Sequence, residues 1–90
     1  MLTFIFTKIA EKQLRKLDEQ IQSQIQSQIL AKLKMFKEKS YFISNTRSVI
    51  DIQDVSHRVR VGRYRILLNC DFKSGQCLIT RVGHRKDVYR

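Results

Sequence analysis

Seven arginines fall between His57 and Arg90, and their spacing decides what chemistry the chain suits. Arg58 and Arg60 alternate with Val59 and Val61, so on an extended strand they share one face about 6.5–7 Å apart. That step suits neighbouring phosphates on a nucleic-acid strand. Gly62-Arg63 is a turn signal, which brings Arg65 close to the opposing strand. The last residues add Arg85, Lys86 and Arg90, with His84 and Tyr89 among them. If this tail folds over the arginine face, one surface holds guanidiniums, an imidazole and a phenol. These groups suffice to make RNA cut itself. The ribose 2′-OH supplies the nucleophile, and guanidiniums neutralise the charge that builds on the phosphoryl oxygens. Tyr or His takes the proton, and a nearby cation makes Tyr a better base. DNA lacks the 2′-OH, so the same groups would bind it uncut.

Each residue also has a plainer reading. A lone Arg on a strand is a solvated edge residue, His57 and His84 suit structural roles, and Tyr89 suits a packed terminal aromatic. The charge distribution favours nucleic acid. The formal net charge is +10, and from His57 onward nine basic residues oppose two acids. Seven of the nine are Arg, whose planar fork matches phosphate as the point charge of Lys does not. An acidic protein partner fits the same charge. No His, Cys, Asp or Glu cluster has ligand spacing, so neither metal nor cofactor is expected. Cys70 and Cys77 are read as small buried apolar residues of a reducing cytoplasm. Leu2 to Ile9 is too short and interrupted for a signal segment, and no apolar run is long enough to span a membrane.

The elements that position these groups read as follows. Ninety residues make a single domain, 1–90, with a small core. Leu2, Phe4 and Phe6 alternate with Thr3, Ile5 and Thr7 as a first strand, and Thr7 can cap a helix. Ala10, Leu14, Leu17, Ile21, Ile25, Ile29, Leu33 and Phe36 form a helical stripe. Asp18 resembles a second N-cap, which predicts a hairpin of helices over roughly 8–16 and 19–37; one kinked helix is the alternative. Residues 38–56 read as loop, with an extended piece at Val49–Ile52. Then come strands 57–61, 64–72 and 76–82. The class is α+β, with the last three strands an antiparallel meander and the helices on one face of a four-stranded twisted sheet.

Two stretches, His57-Arg58-Val59-Arg60-Val61-Gly62-Arg63-Tyr64-Arg65-Ile66 and Arg81-Val82-Gly83-His84-Arg85-Lys86-Asp87-Val88-Tyr89, resemble the RelE branch of the RelE/ParE toxin superfamily. Phe6 to Leu14 is similar to the start of that family. The resemblance implies a strand, a helical hairpin and a twisted sheet. It also implies a cytoplasmic toxin that, without metal, cuts messenger RNA in the ribosomal A site, leaving a 2′,3′-cyclic phosphate and a 5′-hydroxyl. A cognate antitoxin with an acidic, partly disordered segment is the implied partner, in a hetero-oligomer. By the same resemblance Arg65 and Arg85 hold the scissile phosphate, and Tyr89 or His84 handles the 2′-OH proton. Arg58 and Arg60, with Arg81, Lys86 and Arg90, bind RNA. Some members carry Lys where Arg58 and Arg60 stand. Arg gives up a proton poorly, which shifts proton transfer toward Tyr89 or His84. Two alternatives remain: a ParE-type toxin, which poisons DNA gyrase and lacks the Arg/Tyr tail, and a silent RNA- or ribosome-binding module.

Overall fold

The alternating N-terminal residues form β1 (Thr3–Phe6), and the chain enters helix α1 (Lys8–Ile21) at once, in a computed structural model that describes residues 1–21, 25–84, 86 and 88. Thr7 joins the two. Its Oγ1 accepts the Ala10 N–H at 3.2 Å and donates to the Ile79 carbonyl at 2.9 Å, so it caps α1 and ties it to the sheet. Helix α2 (Ile25–Met35) follows. The hairpin is present, but Asp18 lies inside α1 and does not open the second helix. The residues around Asp18 continue the apolar stripe, and neither Gly nor Pro interrupts them. Leu14, Ile25, Ile29, Leu33 and Phe36 are buried against the sheet, as the stripe predicts.

The segment expected to be loop contains two further elements, α3 (Lys39–Asn45) and β2 (Arg47–Ser48). Tertiary packing makes α3. Phe42 is fully buried among Phe4, Phe36, Phe72 and His57, with ring centroids 5.3–6.2 Å apart. The helix closes on its own polar side chains, Asn45 Nδ2 donating to the Tyr41 carbonyl and Thr46 Oγ1 to the Phe42 carbonyl, each at 2.8 Å. Strand β2 lies just before the extended piece expected at Val49–Ile52.

Three longer strands complete the chain: β3 (His57–Val61), β4 (Tyr64–Asp71) and β5 (Gln76–His84). The sheet has five strands, where four were expected, in the order β1-β5-β4-β3-β2. β1 runs parallel to β5 and the other pairs are antiparallel. Gly62 (φ 59°) and Gly75 (φ 81°) take left-handed conformations in the two hairpin turns. The helices cover the face bearing Val59, Val61, Ile66, Leu68, Cys77, Ile79 and Val82. Cys70 and Cys77, both free, stand opposite each other on β4 and β5, and burial pushes both thiols up. Among the described residues no helix is long and apolar enough to cross a membrane, and no group of His, Cys, Asp or Glu is placed to hold a metal ion.

Candidate active site

The sheet face away from the helices carries the arginines, and the register arranges them in two rows. Arg47, Arg58, Leu67 and Arg81 lie side by side across β2, β3, β4 and β5. One step along, Arg60 stands opposite Arg65, and Arg65 stands opposite Gly83. Like charges on facing strand positions destabilise a sheet. The register nevertheless sets Arg47 beside Arg58 and Arg60 beside Arg65.

A β-bulge decides which β5 residues join this face. Leu67 pairs with Arg81 and Leu68 with Ile79, so Thr80 is the extra residue. Its Oγ1 donates to the Leu67 carbonyl at 3.1 Å. Strict alternation from Cys77 and Ile79 would send Arg81 and Gly83 into the helix-side core. The bulge reverses the parity beyond Thr80, so Arg81 and Gly83 join Arg58, Arg60 and Arg65. Val82 turns inward, where its N–H donates to Gln13 Oε1 of α1 at 2.8 Å.

The same parity change moves His84. It lies on the helix-side face, edge-on to Tyr64 at 5.7 Å, across the sheet from the guanidiniums. Its Nδ1 accepts the Lys86 N–H at 3.2 Å. The expectation of an imidazole among the arginines is therefore corrected. His57 is also on the helix side, packed on Phe42 and Phe72 with Nδ1 2.9 Å from Ser56 Oγ. Burial lowers its pKa.

The tail crosses onto the arginine face. The Val88 N–H donates to the His84 carbonyl at 3.0 Å, and Val88 packs with Leu67 and Val55 in a small second core. A Cβ on Gly83 would meet Val88 at 3.4 Å, the edge of ordinary contact, so Val88 lies close over the glycine. Arg85, Tyr89 and Arg90, expected in the site, lie outside the described residues, and Lys86 is exposed. The described residues set a row of hydrogen-bond-donating arginines on one face of the sheet, with Val88 packed over that face.

Sequence reasoning missed Arg47 and the corner beside it. A cavity of about 310 Å³ there is lined by Ser44, Asn45, Thr46, Arg47, Arg58 and Arg60. Arg47 sits in the segment without readable periodicity, and no pattern marks a two-residue strand.

Comparison with known proteins places the chain beside toxins of toxin–antitoxin systems. The family described as the ParE toxin of type II toxin–antitoxin system, parDE, matches residues 4–89. Among solved structures, a chain in the crystal structure of the toxin–antitoxin complex RelBE2 from Mycobacterium tuberculosis is similar to this chain. The likeness covers 93% of this chain and 98% of that one, with 25% identity and a TM-score of 0.64. No curated protein matches the sequence.

Proposed function

The chain belongs to the ParE toxin family of type II toxin–antitoxin systems, within the RelE/ParE superfamily, and on that footing we propose that it is a RelE-type endoribonuclease that cuts messenger RNA in the ribosomal A site. The observation that carries this reading is the Arg60–Arg65–Gly83 row with Val88 laid across it. Val88 packs with Leu67, a residue of the arginine face, and its sequence neighbours Arg85 and Tyr89 are assigned to the same face.

In this reading Arg58 and Arg60 bind the RNA backbone, and Arg81, Lys86 and Arg90 extend the contact. Arg65 and Arg85 meet the charge that develops on the scissile phosphate as the 2′-oxygen attacks. Tyr89 takes the 2′-OH proton. His84 is the weaker choice for that step, because its ring lies on the other face and its Nδ1 already accepts a backbone N–H. The reaction forms the bond from the 2′-oxygen to phosphorus and breaks the bond to the 5′-oxygen, leaving a 2′,3′-cyclic phosphate and a 5′-hydroxyl. No metal or cofactor enters the scheme. The toxin works in the cytoplasm and is held inactive by an antitoxin whose acidic, partly disordered segment folds onto it. Support for such a partner comes from the similar RelBE2 chain, which was solved as a toxin–antitoxin complex.

One observation favours a second reading. The matching family is described as the ParE toxin, and the ParE branch is the one that the sequence resemblance links to gyrase poisoning. Purified protein added to translating ribosomes, with gyrase supercoiling measured in parallel, separates the two. The ribonuclease reading expects truncated messages and uninhibited gyrase. Inhibited gyrase with intact messages establishes the ParE reading, and neither effect leaves a silent module.

A further inference from the structure

We infer that the corner between α3 and β2 is a nucleotide subsite, in which Arg47 holds the phosphate flanking the cut and the end of α3 reads the neighbouring base. The inference rests on the ribonuclease reading and names the part of the substrate that this corner takes. The cavity has two unlike walls. One is the sheet, with Arg47 beside Arg58 across the β2–β3 pair and Arg60 one step further along β3. Neighbouring strands are about 4.8 Å apart, and positions two residues apart on a strand are about 6.5–7 Å apart. The arginine side chains of this wall carry only donors, and Arg47 lies beside Arg58 at the end of the row that Leu67 separates from Arg81.

The other wall is the C-terminal end of α3, lined by Ser44, Asn45 and Thr46. Two of its donors bond the helix itself: Asn45 Nδ2 to the Tyr41 carbonyl and Thr46 Oγ1 to the Phe42 carbonyl. The acceptors left at this end outnumber the donors: Asn45 Oδ1, the lone pairs of Ser44 Oγ and Thr46 Oγ1 and the last carbonyls of a helix end, against the Ser44 hydroxyl and one Asn45 N–H. A helix C-terminus also carries partial negative charge. A ligand for this corner needs an anion at one end and hydrogen-bond donors at the other. A nucleotide has both. An acidic peptide matches the arginines but presents more negative oxygen to the acceptor wall. The wall also discriminates among bases. Adenine, cytosine and guanine each bring an exocyclic amino group with two N–H donors, whereas uracil offers only its ring N3–H.

The test measures single-turnover cleavage by the full chain on ribosomes programmed with a set of messages. In this set each position beside the cut bond is changed in turn to uracil. Binding of a short oligoribonucleotide, made uncleavable by a 2′-deoxy sugar at the cut position, is followed by fluorescence anisotropy. Arg47→Ala should weaken that binding roughly tenfold and lower its salt dependence by about one ion. Wild type should cut least well when uracil occupies one flanking position, and Asn45→Ala should flatten that preference. Arg47→Lys, which keeps the charge, should recover most of the affinity. An oligoglutamate peptide serves as the competing probe. If Arg47→Ala lowers affinity for the peptide while RNA binding and base preference stay at wild-type levels, the corner is a protein-docking surface and the subsite is overturned. Wild-type protein that cuts no message at all defeats the ribonuclease reading itself. A protein that cuts, with Arg47→Ala unchanged in rate, affinity and preference, defeats the subsite alone.

Discussion

Arg65 is the described side chain on which the proposed chemistry turns. It faces Arg60 across one strand pair and Gly83 across the other. Its proposed contact strengthens as charge moves onto the phosphate, so Arg65→Ala should slow cleavage far more than it weakens ribosome binding. A lost transition-state contact of about 3–4 kcal/mol corresponds to roughly a hundredfold to a thousandfold in rate. Arg85→Ala should behave alike, and Tyr89→Phe should lose cleavage while keeping affinity. Lys12→Ala and Lys73→Ala, at exposed positions, are the controls; equal losses there would reduce Arg65 to a docking charge. His57 has a separate signature. Burial makes its imidazole harder to protonate in the folded chain than in the unfolded one. Stability is therefore full above the ordinary histidine range and falls as pH drops through it toward the lowered folded value. Urea midpoints at pH 7.5 and pH 5 should diverge for wild type and converge for His57→Phe; an unchanged difference would assign the effect to other groups. Alternation made Arg58, Arg60 and Arg65 legible from sequence, because a strand's period fixes their face. His84 was not legible, since the bulge at Thr80 reverses that period and no residue type announces a bulge.

At the scale of elements, the tail over β5 and the corner at α3 decide the site. Gly83→Val puts a branched side chain where Val88 now rests, so the tail should lift off. Cleavage should fall sharply while the melting temperature changes little, because the main core does not include Val88. A variant that cuts normally would mean that the tail's path over Gly83 is not needed. Phe42→Ala should cost about 3–5 kcal/mol of unfolding free energy, since the ring is fully enclosed. A loss under 1 kcal/mol in a denaturant titration would show that α3 is not anchored through it. The first strand, the Thr7 cap and the apolar stripe were legible because they follow local periodicity and capping. Asp18 misled because a capping residue signals a helix start only where the preceding helix has a reason to stop. Helix α3 and β2 stayed hidden because non-local packing on Phe42, rather than propensity, makes them.

Across the whole molecule, the net charge of +10 suits the RNA substrate proposed for this toxin. The α+β class was legible. The parallel pairing of β1 with β5 was not, because alternation identifies strands without identifying neighbours. Expression of the chain alone should arrest growth, and co-expression of its antitoxin should restore it; normal growth with folded wild-type protein present would count against a toxin. Cleavage should also survive a chelator of transition metals that leaves ribosomal magnesium in place. The most direct measurement concerns the nucleophile. Ribosomes programmed with one message are compared with ribosomes carrying the same message with a single 2′-deoxynucleotide at the cut position. The account predicts cleavage of the first, with a 2′,3′-cyclic phosphate at the new end, and none of the second. Equal cleavage of both would contradict it.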